Sequence, residues 1–189
     1  MDEQATSLKG KLLLAMPGMG DPRFHKAVIF MCSDNAEGSM GIILNQQLPG
    51  MVLGDLFTEI GIDVPADADS KQPVMMGGPV ETSRGFLLHT MDYDSAETIR
   101  VNEKFGVSGT IEALKSYATG ESPRSVLFAL GYAGWGPGQL SQEILDNAWL
   151  VVDADYELIF NTNITDSWDR AMTRHGIDPA RLSGSAGHA

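Results

Sequence analysis

The sequence predicts an α+β fold: one domain built on a mixed, mainly antiparallel sheet. Three observations carry that reading. Short apolar runs rich in β-branched and aromatic residues outnumber the amphipathic stretches. Neighbouring runs are separated by Gly-, Pro- and Asp-rich turns, which favours hairpins over the regular strand–helix alternation of a doubly wound sheet. The 189 residues are 43% hydrophobic and 20% charged, enough for one core, with no repeat, low-complexity tract or linker to divide them.

Taken in order, residues 1–8 read as a flexible lead-in and 9–189 as the single domain. Residues 11–15 form a short apolar run, closed by the Pro- and Gly-punctuated loop 16–22. Residues 26–32 read as a strand buried on both faces, 33–38 as a turn and 40–44 as the strand returning in a hairpin. Val52, Leu53, Leu56, Phe57 and Ile60 have the spacing of a helix face that Gly61 closes, and 63–70 is an acidic loop. A strand at 74–76, a Gly77-Gly78-Pro79 turn and a strand at 84–90 follow, with a further short strand at 98–101. A second helix spans 108–118 and stops at Gly120. A strand at 125–130 then enters the glycine-dense segment Gly131-Tyr-Ala-Gly-Trp-Gly-Pro-Gly-Gln-Leu140, read as a turn. The helix after it buries Leu140 and Ile144 and carries Glu143 near its positive end. Residues 149–153 and 156–160 are expected to pair as a hairpin. A last helix runs from an Asp166 N-cap to His175, ended by Gly176.

Bulk charge narrows the function. A net charge of −12 opposes DNA binding, which rests on Lys and Arg neutralising phosphates, and no dense basic run appears. Cys32 is the sole cysteine, which excludes an intrachain disulfide and fits a reducing compartment. The first residues lack the basic and apolar stretches of a secretory signal, and no apolar run approaches the ~18 residues of a membrane helix. A cytoplasmic setting without membrane attachment is therefore expected.

Candidate chemistry comes from a few positions. Trp135 and Gln139 lie on the glycine-dense segment, where an indole can wall a pocket and an amide can hydrogen-bond a ligand, or both can simply complete the loop. That segment has no Gly-Lys-Ser/Thr of a phosphate loop and no Gly-x-Ser-x-Gly nucleophile elbow. Gly77 and Gly78 shape a second turn, beside which Arg84 can clamp a carboxylate or phosphate or pair with one of the many acidic residues. Arg84 and His89 stand an odd number of residues apart on one strand, so alternation sends them to opposite faces. His89 is a weak catalytic candidate against the reading of a satisfied, hydrogen-bonded histidine. Cys32 is the other. Its thiolate needs a cation that its own strand does not supply, so a packed core cysteine competes with a reactive one. The histidines show no paired spacing and one cysteine builds no zinc site, so no metal and no cofactor are expected.

Several phrases taken together resemble the YqgE/AlgH family. They are Ala15-Met-Pro-Gly-Met with Asp21-Pro22 and Phe24, Val28-Ile-Phe-Met-Cys32, Glu37-Gly38 and Gly41-Ile-Ile-Leu-Asn45. Gly77-Gly-Pro-Val80 with Arg84-Gly-Phe-Leu-Leu-His89, and Gly131-Tyr-Ala-Gly-Trp135 with Gly138-Gln-Leu140 and Trp149, are similar to the family's central and most distinctive motifs; Gly187-His188-Ala189 is similar to its usual end. The resemblance covers nearly the whole chain. It implies a bacterial α+β protein with a bifurcated, partly barrel-like sheet flanked by helices, in a family often labelled transcriptional regulators. It also brings Asp21 and Asn45 forward as motif residues, Asn45 as a binding candidate. This chain departs at Ser33-Asp34-Asn35, where many relatives carry an acidic-histidine pair before asparagine, and at Asn45-Gln-Gln, where they carry Asn-Arg-Pro.

Three functions compete. The first is a small-molecule or peptide binding or regulatory module without established catalysis, with a small molecule or a protein as its partner. Its pocket would be walled by the turns at 77–79 and 135–139. The second is an enzyme using Cys32, Arg84 or His89. The third, a regulator that binds DNA directly, is disfavoured by the charge.

Overall fold

In the computed structural model, which describes residues 6–64, 70–109 and 111–182, ten strands and five helices alternate irregularly along the chain. The strands are β1 (Lys11–Ala15), β2 (Val28–Asn35), β3 (Gly38–Ile43), β4 (Gln47–Val52), β5 (Pro73–Met76), β6 (Val80–Thr90), β7 (Ile99–Arg100), β8 (Phe105–Ser108), β9 (Val126–Trp135) and β10 (Trp149–Asp153). The helices are α1 (Leu53–Glu59), α2 (Ile111–Ala118), α3 (Gln139–Leu145), α4 (Tyr156–Phe160) and α5 (Ser167–Arg174). The sheet runs β10-β1-β2-β3-β9-β6-β8-β7, with β4 and β5 off this path. Every pairing is antiparallel except β5 with β9.

The sheet forks at β9. Its first half lies between β6 and the parallel β5, through Met75↔Ala129 and Met76↔Leu130, whereas its last residues pair with β3, through Gly41↔Ala133 to Ser39↔Trp135. At the fork three backbones pass too close for side chains. A Cβ on Gly77 would stand 2.3 Å from the Gly131 carbonyl oxygen, and one on Gly78 2.0 Å from the Tyr132 carbonyl carbon. Gly131 itself has φ 76°, a conformation glycine alone adopts without strain.

Alternation along each strand then feeds three cores. Val28, Phe30 and Cys32 of β2 enter the concave core with Leu88, Phe105, Leu158 of α4 and Trp168 of α5. Ile29 and Met31 point the other way, into a cluster closed by Leu140 of α3 with Trp135 and Trp149. The second lobe packs Leu87 and Val126 under Leu53 and Phe57 of α1 and Leu114 of α2. Each fully buried side chain of this size stabilises the fold by about 1.5–3 kcal/mol. The Trp168 indole also donates to the Ala15 carbonyl at 2.8 Å, tying α5 to β1.

The structure corrects several expectations. Residues 156–160 are α4, not a strand: Asp155 accepts from the Leu158 amide at 3.0 Å and caps the turn, and the adjacent Leu158 and Ile159 both reach the concave core. β10 pairs instead with β1, its end marked by the Lys11–Asp153 ion pair. Residues 131–135 are the end of β9 and not a turn, because Gly131 serves the crossing at the fork and Gly134 pairs with Met40 of β3. The first hairpin turns only at Ala36–Glu37, since β2 continues to Asn35 past an irregularity at Cys32. Asp166 makes no capping bond; it closes the turn Ile164–Asp166, which Asn163 caps by accepting from Thr165 at 3.0 Å. β4 and β8 have no counterpart in the sequence reading. In the lead-in, Ser7 and Leu8 bond Asp34 at 3.3 and 2.8 Å, while residues 1–5 lie outside the described residues. So do residues 65–69 of the acidic loop, and the final Gly-His-Ala. Among the described residues no helix is long and apolar enough to cross a membrane.

Candidate functional site

A cleft of about 480 Å³ opens beside the fork, between the β2–β3 hairpin, β6 and the last turn of β9. It exists because β6 and β9 lose register there. Between Val80↔Tyr132 and Gly85↔Leu130 the ladder advances five residues on β6 but two on β9. The excess residues bulge outward, with Glu81 at φ 45°.

Phe86 and Tyr132 form the cleft's aromatic floor, packed edge to face with ring centroids 5.8 Å apart. Met40, Val80 and Ile99 add apolar walls, and Ile99 is 52% exposed. Arg84 rises from the bulge with its guanidinium carbon 5.1 Å over the Phe86 ring. Its acidic neighbour is Glu81 on the same strand, at 3.4 Å, an exposed pair worth at most about 1 kcal/mol. The guanidinium is thus held in place by an aromatic face while keeping donors for a ligand. Ser33, Asn35, Glu37 and Ser39 supply the polar rim of the hairpin. Asp34 braces that hairpin by accepting from Ser39 Oγ at 2.6 Å and from the Leu8 amide.

Of the sequence candidates, the structure brings Arg84 and Trp135 to this cleft and leaves the others out of it. Trp135 borders the cleft, but its indole is 6% exposed and turned into the core. There it packs edge to face on Trp149 at 5.9 Å and donates to Glu143 Oε2 at 2.9 Å. Trp149 donates to the same oxygen at 2.7 Å. Gln139 bonds Glu143 Oε1 at 3.0 Å and the Gly136 amide at 3.0 Å, so its amide serves the start of α3. Gly77 and Gly78 are buried against β9, with the Gly77 amide donating to Leu130 at 2.8 Å, and present nothing to a ligand. Asn45 accepts from the Val28 amide and donates to the Lys26 carbonyl, both at 2.8 Å, and is thereby a brace for the start of β2. Asp21 caps the turn Pro22–Phe24 and pairs with Arg23 at 2.7 Å; hydrogen bonding from Arg23 holds its carboxyl below the ordinary range.

The two catalytic candidates are sealed. Cys32 is 2% exposed, and burial pushes its thiol up to about 12, so the packed core reading describes it. His89 is fully buried, its ring nitrogens bonded to the Thr90 carbonyl at 2.9 Å and Ser108 Oγ at 2.8 Å. Burial lowers its pKa, partly offset by the Thr90 bond and by Asp92 and Asp94. Arg84 lies exposed on the surface, whereas His89 lies inside. Among the described residues no group of three or more His, Cys, Asp or Glu is placed to hold a metal.

Sequence reasoning missed Glu143 as the acceptor joining two tryptophans, and missed Phe86 and Tyr132 as the cleft floor and Met40 as one of its walls. Nothing local marks either set, since each forms across strands distant in sequence. A second cleft at the opposite end of the β6–β9 pair was also missed.

Comparisons with known proteins agree with this architecture. A family model described as AlgH-like matches residues 12–180. A UPF0301 protein of Rhodospirillum rubrum is 47% identical over 182 residues, covering 96% of this chain and 94% of that protein. One from a Bradyrhizobium strain is 46% identical over 190 residues, covering 96% and 88%. The solution structure of the AlgH protein from Pseudomonas aeruginosa superposes with a TM-score of 0.77 at 34% identity over the whole of both chains. A crystal structure from Corynebacterium diphtheriae, at 21% identity, covers 97% of this chain and 94% of its own with a TM-score of 0.76, and shows the shared fold alone.

Proposed function

The chain belongs to the YqgE/AlgH family, and for this member we propose a binding or regulatory role exercised through the Arg84 cleft. Its ligand is a small molecule or short peptide that joins a carboxylate to an apolar group. The observation that carries this reading is the guanidinium of Arg84 standing over the Phe86–Tyr132 floor. A fixed guanidinium takes a carboxylate by paired hydrogen bonds, and the aromatic floor takes the apolar part. The sealed Cys32 and His89 favour binding without catalysis over the enzyme reading. The net charge of −12 favours regulation through a ligand or protein over direct contact with DNA. The lone, buried Cys32 fits action in the cytoplasm.

Calorimetric titration with short peptides and aryl or alkyl carboxylic acids tests the proposal. Saturable binding is expected, weakened about tenfold or more in Arg84→Ala, the cost of one lost charge-assisted hydrogen bond. Binding that is indifferent to Arg84→Ala, or no binding across the series, rejects it.

A further inference from the structure

We propose that the cleft at the other end of the β6–β9 pair is a second ligand site, independent of the Arg84 cleft, and that it takes a nucleoside monophosphate. The cleft measures about 510 Å³, in the range of small-molecule pockets. Its floor is Phe105, and one wall is the Tyr156 ring of α4. That ring is fixed: its hydroxyl lies 2.5 Å from Ser125 Oγ and its face packs on Phe160 at 5.3 Å. The Arg124 guanidinium carbon stands 5.4 Å over the same ring, so a flat group would stack on the outer plane of this cation–aromatic pair.

The charges around it are mixed in a way that selects the ligand. Asp92 is committed to the fold, accepting from Thr90 Oγ1 and from the Arg124 amide. Asp155 caps α4 and pairs with Arg174 at 3.1 Å. Lys104 and the Arg124 guanidinium have no carboxylate at ion-pair distance among the described residues, so both are free to hold an anion. Glu103 and Glu157 also line the cleft, Glu157 with one oxygen bonded to Asn161. Carboxylates accept hydrogen bonds and repel further negative charge. The lining therefore suits a ligand with one compact anionic group, a planar ring, and hydroxyl or amino donors. A phosphate for Lys104 and the edge of Arg124, a base on the Arg124–Tyr156 pair, and ribose or amino donors for the carboxylates meet all three demands. A triphosphate brings its extra charge against four carboxylates.

Titrating adenosine and guanosine monophosphates into the full chain, followed by backbone amide shifts, tests this. At least one is expected to saturate and to move amides at 90–92, 103–105, 124–125 and 155–157. Lys104→Ala and Arg124→Ala each weaken binding about tenfold, as loss of a charge-assisted hydrogen bond does. Both side chains are exposed, so the variants keep the parent melting temperature. Arg84→Ala leaves this binding unchanged while weakening carboxylate binding at its own cleft, which separates the two readings. Adenosine alone and inorganic phosphate alone bind more weakly, and so does ATP. The proposal is overturned if neither monophosphate saturates, if inorganic phosphate binds as tightly as the nucleotides, or if Lys104→Ala and Arg124→Ala are without effect.

Discussion

Replacing Glu143 by alanine removes the shared acceptor of two indoles, and the cost can be worked from the geometry. Trp135 and Trp149 are 6% and 4% exposed, and their Nε1 groups donate to one carboxylate oxygen at 2.9 and 2.7 Å. A buried donor left unsatisfied costs about 1–3 kcal/mol. Glu143 is itself half-buried, so water recovers part of that loss and the lower half of the range applies to each indole. The expected destabilisation is about 2–4 kcal/mol, or about 4–16 °C in melting temperature for a chain of this size. Glu143→Gln keeps an acceptor without the charge and is expected to lose about half as much. Urea unfolding with an unchanged m-value measures the stability, and near-UV circular dichroism reports the tryptophan environment. A change below about 0.5 kcal/mol for Glu143→Ala, the usual effect of a surface substitution, refutes the reasoning. The indoles would then have other partners, and Trp135 would be open to a ligand.

Three further outcomes are expected. Because burial pushes the Cys32 thiol up to about 12, iodoacetamide at pH 8 labels it only as fast as the concave core opens, and labelling at the rate of a free thiol contradicts the packing described. Burial holds folded His89 below its ordinary value of 6.5, so below that pH the unfolded chain binds the proton first. The stability from neutral His89 is intact above about pH 6.5 and is lost as pH falls toward the folded value; a folded-state His89 imidazole that titrates at or above 6.5 overturns this. Gly78→Ala sets a methyl 2.0 Å from the Tyr132 backbone at the fork and is expected to cost more than about 3 kcal/mol or to prevent folding, so a variant with parent-like urea stability contradicts the crossing geometry.

Much of the fold was legible because it rests on local periodicity. The runs around Leu13, Ile29 and Ile42 are short continuous apolar stretches bounded by turn signals, as doubly buried strands are, and Leu53, Leu56 and Phe57 repeat as a helix face. α4 was misread because Tyr156 to Phe160 suits either state by composition; only Asp155 reaching the Leu158 amide decides for a helix. The glycines at 77, 78 and 131 read as turns because their reason is tertiary: backbones cross where β9 changes partners. The site was half legible for the same reason. Arg84 stood out as a lone cation beside a turn, but Phe86 and Tyr132 meet only through the β6–β9 pairing. Trp135 borders the cleft, whereas its indole bonds Glu143, a partner that no spacing announces.

The most direct test of a ligand-binding Arg84 cleft is a two-dimensional amide-shift titration of the uniformly labelled chain with a library of carboxylate fragments and short peptides. The account predicts saturable shifts confined to residues 33–40, 80–86 and 132–135, needing about tenfold or more ligand to saturate in Arg84→Ala at equal stability. Fragments that leave these amides unmoved, or that move them equally in Arg84→Ala, contradict it.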